Sequence, residues 1–248
     1  MSREELFQNI ENWKIGIDEK FWFHCTLCGK CCIDREDILL NPSDMYRISK
    51  FLNTTPKEVF IKYCETYIGD GSRMPIVRLK PIGRTKRCPF LKNSKCIVHE
   101  AKPSVCAIYP LGRYIQLKGE ADRLHSNTDK SVHYILQPIT CGNTSEMHTV
   151  REWLERFDFE VEDKSYILWI NFISRSGKLI REMEKKIGFD QMVPLWNAIL
   201  VAAYLAYKTD EEFLTQFEKN TSSLEVLYSK PELLMSMPRT EDPPDKTE

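Results

Sequence analysis

The sequence predicts an α+β protein that is mainly helical, with a small cysteine-rich core built on short strands. Two observations support this fold class. Eight of the nine cysteines in the 248-residue chain lie between Cys25 and Cys106, among short alternating segments and proline-rich loops. After residue 148 the chain has no cysteine and shows the apolar spacing of amphipathic helices. We therefore expect a cysteine-rich domain at 1–148, a helical segment at 149–229 and a flexible tail at 230–248.

The overall composition is that of an ordinary globular protein. Hydrophobic residues make up 42% of the chain and charged residues 29%, which excludes global disorder. The 35 Lys and Arg nearly balance the 36 Asp and Glu, and a net charge of -1 gives no general reason to expect binding to nucleic acid. The longest apolar stretch, 192–207, is interrupted by Pro194 and Asn197 and is short for a membrane span.

Helix-start signals and apolar spacing predict most of the helices. Thr55, Pro56 and Glu58 form one strong start, and Thr149 with Glu152 forms a second capping box. Gly177 lowers the helix propensity of the longest segment, so the pattern does not require one unbroken helix there. The predicted helices cover 2–13, 42–52, 56–67, 149–157, 162–187, 191–207, 209–219 and 222–228.

Three segments alternate between apolar and polar residues, as half-buried strands do. They are residues 75–82, 113–118 and 132–137. Between the first two, residues 88–112 are rich in proline and cysteine. That density predicts an irregular loop folded around a bound group, not a regular element.

The beginning of the sequence bears on the state of the thiols. Residues 1–14 carry charges from the start and contain neither an apolar core nor a small-residue cleavage site, so they do not resemble a secretory signal. We therefore expect a cytoplasmic protein, in which thiols stay reduced. Clustered cysteines in that compartment indicate metal ligands or redox groups.

The leading motif is Cys25-x2-Cys28-x2-Cys31-Cys32. A C-x2-C-x2-C run supplies three ligands to a [4Fe-4S] cluster in bacterial ferredoxins, where a further Cys-Pro pair comes from elsewhere in the chain. Cys88-Pro89 has that local form. Structural zinc sites more often have two separated C-x2-C pairs. The spacing therefore favours iron–sulfur and leaves zinc as the alternative.

Eight cysteines are candidate ligands, which is enough for two four-ligand sites. Because neighbouring side chains diverge, we expect Cys31 and Cys32 either to serve two centres or to include only one ligand. Cys64 lies on a predicted helix, and we expect it to be a core thiol. The candidate metal ligands are Cys25, Cys28, Cys31, Cys32, Cys88, Cys96, Cys106 and Cys141.

Together these motifs resemble the CxxCxxCC family, the YkgJ-like proteins described as zinc- or iron-chelating. The resemblance covers residues 22–141 and includes Cys88-Pro89-Phe90-Leu91, Cys96-x9-Cys106, Tyr109-Pro110 and the late Cys141. It implies a metal-binding domain. Through members that resemble flagellin lysine N-methylases, it also implies a methyltransferase that depends on an iron–sulfur cluster and on SAM, with a protein substrate.

Three positions depart from the family pattern. Lys102 stands where Arg is usual, Ala107 where Arg is common and His99 where an aromatic residue is common. A missing Arg removes a planar donor that can hold a carboxylate. These departures therefore weaken the inference of a shared substrate more than the inference of a metal site.

Other enzyme motifs are absent from the sequence. It contains no GxGxxG, Walker loop, HExxH or GxSxG, and the radical-SAM spacing CxxxCxxC is also missing. Three hypotheses stay open: a module that binds one or two [4Fe-4S] clusters or zinc, a SAM-dependent protein methyltransferase, and a zinc-stabilised interaction module. The partner would be a protein of unknown identity.

Histidines and a basic segment supply secondary signals. His99 follows Cys96 at ligand spacing, and His24 precedes Cys25, where it could donate a hydrogen bond to a sulfur. We expect His125, His133 and His148 to be structural. Residues 78–95 contain seven Lys and Arg and no acid. This segment either compensates the charge of an anionic metal centre or docks an acidic group.

Overall fold

The computed structural model describes residues 10–115 and 131–229. It confirms a mixed α+β fold, which is 44% helical and 21% strand. The predicted tail at 230–248 and most of the predicted helix at 2–13 lie outside the described residues. None of the helices in the described ranges combines the length and the apolar character needed to cross a membrane.

The helices follow the capping signals closely. Both predicted capping boxes form, at Thr55 and at Thr149, and Asn41 forms a third with Asp44. A π-helical turn, Val201–Leu205, continues the sixth helix. The helices are α1 (Pro42–Phe51), α2 (Pro56–Tyr63), α3 (Ser104–Ala107), α4 (Val150–Glu155), α5 (Lys164–Glu184), α6 (Phe189–Leu200) and α7 (Phe213–Ser229).

The strands are short and form small antiparallel sheets. Two sheets have three strands, in the orders β1-β9-β8 and β3-β5-β4, and two pairs are β10-β2 and β6-β7. Residues 116–118 of one predicted strand lie outside the described ranges. The strands are β1 (Lys14–Ile15), β2 (Lys20–His24), β3 (Leu39–Leu40), β4 (Cys64–Ile68), β5 (Pro75–Leu79), β6 (Leu91–Lys92), β7 (Lys95–Cys96), β8 (Leu111–Ile115), β9 (Val132–Leu136) and β10 (Asn143–Thr149).

The predicted extension of α2 to residue 67 is wrong. The helix ends at Tyr63, and the chain continues as β4, so Cys64 lies on a strand. Each residue of β4 pairs with one of β5, from Cys64 opposite Leu79 to Ile68 opposite Pro75. This long-range pairing outweighs the local helical pattern, as tertiary context often does.

The predicted pair of helices at 209–219 and 222–228 is also wrong. One helix, α7, runs without a break from Phe213 to Ser229 and does not start at residue 209. Instead the Glu212 carboxylate accepts hydrogen bonds from the N–H groups of Leu214 (2.8 Å) and Thr215 (2.7 Å). An acid at this position satisfies the free N–H groups of the first turn.

Helix α5 continues unbroken through Gly177. The fold requires a residue without a side chain at this position. A Cβ at Gly177 would lie 2.5 Å from the Ser72 carbonyl oxygen. The glycine therefore lets α5 approach the turn between β4 and β5 at van der Waals distance.

The structure has two hydrophobic cores, and both combine residues from before and after residue 149. In the first, Met45 and Val77 are buried with Ile180 and Leu195. In the second, Phe23 and Tyr134 are buried with Trp153 and Ile167. Whether 1–148 and 149–229 are separate domains stays a prediction.

A buried ion pair joins β8 to the start of α5. Arg113 Nη1 lies 2.6 Å from Asp163 Oδ2, and the two side chains are 4% and 10% exposed. Burial by itself would raise the pKa of Asp163. The charge of Arg113 and hydrogen bonds from Ser165, Arg113 and the Tyr166 N–H outweigh that effect and hold the pKa below its ordinary value of 3.8.

Replacing Gly177 with Ala should destabilise the protein, although Ala favours helices by about 1 kcal/mol. The new methyl group would press on the Ser72 carbonyl, and overpacking of this kind costs about 1–3 kcal/mol. Urea unfolding measures the change. The matched control is Gly71→Ala, because no atom lies within 4 Å of the added Cβ. Equal stability of the two variants would contradict the argument.

Replacing Asp163 with Asn should cost about 3–5 kcal/mol at neutral pH, because it leaves the Arg113 charge buried without its partner. The lowered pKa means that Asp163 stabilises the fold above pH 3.8 and that this contribution is lost as the pH falls through the lowered value. Urea unfolding at neutral and acidic pH should therefore show the difference from wild type shrinking in acid. Asp18→Asn, in an exposed pair with Arg151, is the control and should change stability little.

Candidate metal centre

The first cysteine loop leaves the end of β2 and folds back on itself. Leu27 and Gly29 have positive φ angles of 55° and 70°. The Cys32 N–H then donates a hydrogen bond to the Gly29 carbonyl (3.0 Å), which closes the 3-10 turn Lys30–Cys32. This path turns all four cysteines of the loop towards one cavity.

The second cysteine segment is joined to the first by its backbone. The Cys88 N–H donates a hydrogen bond to the Cys32 carbonyl (2.8 Å). Cys96 follows on the hairpin β6–β7, whose turn uses Asn93 and Ser94 with positive φ. The hairpin therefore brings Cys96 back beside Cys88, and both line the cavity.

A buried carboxylate positions the helix that carries Cys106. Asp44 has no exposed surface and accepts hydrogen bonds from the Ser104 N–H (2.8 Å) and the Ser104 hydroxyl (3.1 Å). Burial raises the pKa of Asp44. These bonds tie α1 to the first turn of α3, two residues before Cys106. Sequence analysis missed this role, because Asp44 and its partner Ser104 are 60 residues apart in the chain.

Cys141 is held against the end of β2 by its neighbours. Gly142 has a φ of 74°, and a Cβ there would lie 2.5 Å from the His24 carbonyl oxygen. On the other side, the Thr140 N–H donates a hydrogen bond to the Tyr109 hydroxyl (2.8 Å). Only glycine fits the close approach, so Cys141 is placed beside the first cysteine loop.

All eight predicted ligands line one cavity of about 460 Å³. Cys64 is not among the lining residues and is buried in the first core, as predicted. Burial raises the pKa of the Cys64 thiol to about 12. The cavity lies where the two cores meet, since Leu79 and Phe90 of the first core and Phe23 and Trp153 of the second also line it.

The expected divergence of the adjacent pair is wrong. The sulfur atoms of Cys31 and Cys32 are 3.9 Å apart. Two ligands of one tetrahedral zinc are about 3.8 Å apart, given a Zn–S distance of about 2.3 Å. However, no group of three or more Cys, His, Asp or Glu in the described ranges has an arrangement that would hold a metal ion. The ligand set therefore stays a prediction.

Burial and mutual contact control the ionisation of the thiols. A hydrogen bond with Cys32 raises the pKa of Cys31, and burial raises the pKa of Cys106. The bond with Cys31 lowers the pKa of Cys32, but its contact with Cys88 and burial outweigh it and raise that pKa to about 12. Burial raises the pKa of Cys141 to about 11. These thiols are protonated at neutral pH, so a metal must displace their protons.

Two cations line the cavity, and neither belongs to the basic segment 78–95. Lys102 is only 8% exposed, and its Nζ lies 4.4 Å from the centre of the Phe157 ring. No carboxylate forms an ion pair with it in the part of the chain that the structure describes. Arg35 pairs with Asp37 and also donates to the Cys31 carbonyl (3.4 Å). The cavity wall thus carries one largely buried lysine without a carboxylate partner in the described structure.

One of the two candidate histidines faces the cavity. His99 lines it, and burial together with the charge of Lys102 lowers the pKa of the imidazole. His24 is not among the lining residues, and its Nδ1 lies 2.7 Å from the Glu146 carboxylate. This geometry does not support the expected hydrogen bond from His24 to a sulfur. His99, by contrast, lies on the same cavity wall as the thiols.

The remaining histidines were predicted to be structural. His148 Nε2 lies 3.0 Å from the Phe23 carbonyl oxygen, and the His133 ring is 5.3 Å from the Tyr114 ring. Both therefore take part in packing of the second core and its sheet. His125 lies outside the described residues.

A protein-family model decides the family. The CxxCxxCC model, described as "Putative zinc- or iron-chelating domain", matches residues 24–156, more than half of the chain. The chain belongs to the CxxCxxCC family. The match spans all eight cysteines of the cavity and indicates a zinc- or iron-chelating function. No curated protein and no solved structure matches this CxxCxxCC protein.

Metal uptake by the metal-free protein should depend steeply on pH. Each protonated thiol that becomes a ligand releases one proton, and one proton gives a tenfold change in affinity per pH unit. We therefore expect the affinity for Zn²⁺ to fall by more than tenfold per unit between pH 8 and pH 6. Calorimetry in buffers of different ionisation enthalpy counts the protons. A slope of one or less would contradict binding by several of these thiols.

Proposed function

We propose that this CxxCxxCC protein holds one or two [4Fe-4S] clusters in the cysteine cavity. The observation that carries the proposal is that eight thiols line one cavity while the ninth, Cys64, lies elsewhere in the core. The proposed ligands are Cys25, Cys28, Cys31, Cys32, Cys88, Cys96, Cys106 and Cys141. A bound cluster would supply one-electron transfer or, with only three protein thiolates, an open iron for a further ligand.

The number of thiols and the size of the cavity favour a cluster over a single ion. Soft thiolates are the ligands of iron–sulfur clusters and of structural zinc. A zinc site closes tightly around one ion with four ligands, whereas this cavity is about 460 Å³ and has eight thiols on its wall. The C-x2-C-x2-C spacing of the first loop supports the same assignment.

The position of Lys102 on the cavity wall supports an anionic occupant of the cavity. A cation on a largely buried side chain is normally paired with a negative group, because burial disfavours an unpaired charge. Lys102 has no ion-pair partner among the residues described, yet it lies on the wall that carries the thiols. A centre ligated by four thiolates is negatively charged and would complete this interaction.

Zinc is the second candidate. The sulfur separation of 3.9 Å between Cys31 and Cys32 is close to the spacing of two ligands on one zinc. In that case the protein would be a zinc-stabilised interaction module without redox chemistry. The SAM-dependent methyltransferase hypothesis rests on the family resemblance alone. Neither the thiol cavity nor the sulfur separation supports it specifically.

Anaerobic purification followed by metal analysis tests the proposal. We expect a brown protein with broad absorbance near roughly 400 nm and with iron and sulfide in equal amounts, about four of each per cluster. A colourless protein with stoichiometric zinc would overturn the cluster and support the second candidate. Binding of SAM to the purified protein would bring the methyltransferase hypothesis forward.

Single cysteine variants test the ligand set. Cys31→Ala should lose metal and unfold at a lower temperature, because metal binding is coupled to folding. Cys64→Ala is the matched control and should keep the full metal content, since Cys64 does not line the cavity. Metal analysis and thermal melting of both variants check this. Full metal content in Cys28→Ala and Cys31→Ala alike would exclude the proposed ligands.

A further inference from the structure

Two of the eight cavity cysteines reach the surface of the molecule. Cys28 and Cys31 are exposed, whereas the other six are only partly accessible. Both belong to the loop that follows β2. A centre bound in the cavity would therefore come closest to solvent, and to any partner, beside these two residues.

Cys28 and Cys31 lie on the first of three segments that contact one another; we call these segments the cysteine rim. They are residues 27–35, 82–87 and 91–96. The Asp34 N–H donates a hydrogen bond to the Thr85 carbonyl (2.9 Å). The hairpin packs on the other side, where a Cβ at Gly29 would lie 3.5 Å from Leu91 Cδ1 and 3.7 Å from the Ser94 oxygen.

The rim is strongly positive. The rim contains one acid, Asp34, which forms no ion pair in the described structure. Glu36, directly after the first segment of the rim, pairs with Lys86. Five cations of the rim are exposed and form no ion pair with any residue described here. They are Lys30, Arg84, Arg87, Lys92 and Lys95.

The rim also exposes apolar side chains. Leu27 is 48% exposed, Ile33 46% and Ile82 45%. Large exposed apolar residues inside a ring of charge are typical of protein–protein interfaces. Nucleic acid and phosphate contacts are mainly polar, so the apolar residues favour a protein as the occupant.

We propose that the cysteine rim docks an acidic one-electron carrier protein, which exchanges an electron with the centre in the cavity. This inference rests on the proposed function, since it requires an iron–sulfur centre. One electron leaves the reduced carrier, which is oxidised by one unit, and enters the oxidised cluster, which is reduced by one unit. No proton or group is transferred. Docking at the rim keeps the tunnelling distance short, because Cys28 and Cys31 are exposed there.

The test uses reduced flavodoxin, an acidic flavoprotein, as the electron donor to the metal-loaded protein. Stopped-flow bleaching of the cluster absorbance measures the second-order rate. We expect this rate to fall at least about tenfold between low salt and 0.3 M NaCl, because salt screens attraction between opposite charges. A rate that does not depend on salt would contradict docking by charge.

Charge reversal locates the docking surface. Lys92→Glu/Lys95→Glu should slow the electron transfer about tenfold at low salt while leaving the iron content and the spectrum unchanged. The matched control, Lys186→Glu/Lys219→Glu, makes the same change of net charge at two exposed positions outside the rim and should leave the rate nearly unchanged. Equal rates for both double variants would overturn the rim as the docking site.

Two further outcomes separate the possible failures. If the metal-loaded protein binds heparin or duplex DNA at physiological salt and the flavodoxin rate is unaffected by the rim substitutions, the rim serves a polyanion and the proposal is wrong. If the purified protein contains zinc and no iron, the proposal of an iron–sulfur cluster is wrong, and the proposal of electron exchange is wrong with it. Iron and sulfide analysis of the same sample distinguishes these cases.

Discussion

The hydrogen bond from the Cys88 N–H to the Cys32 carbonyl joins the two chain segments that supply most of the thiols. This link helps to build the wall of the cavity, because the segments are far apart in sequence and no disulfide connects them in the described structure. Asp44 adds the helix of Cys106, and the close approach of Gly142 to His24 adds Cys141. These contacts between protein groups bring the thiols around one space.

Burial and contact between thiols determine the electrostatics of this space. Mutual contact raises the pKa of Cys31 and burial raises the pKa of Cys106, while Lys102 adds a cation to the cavity wall. A thiolate-bound centre reverses both conditions, since it ionises the thiols and gives Lys102 a negative neighbour. Lys102 departs from the family pattern, and it lies on the cavity wall, where its charge would compensate that of such a centre.

Local signals predicted local structure well. The capping boxes at Thr55 and Thr149 start helices as expected, and the cysteine spacing identified the residues that line the cavity. Contacts between distant segments were not predictable in this way. Pairing with β5 turns Cys64 and its neighbours into a strand, and the Ser72 carbonyl explains Gly177. Asp44 was missed for the same reason, because its partner Ser104 is distant in sequence.

The position of the cavity between the two cores has a consequence for the amount of protein in a cell. A ligand that binds only the folded state stabilises it by mass action, and here that state includes both cores. Chains without the ligand spend more time unfolded and are exposed to proteases. Metal supply would therefore set the abundance of this protein as well as its chemistry, so its level would follow the metal status of the cell.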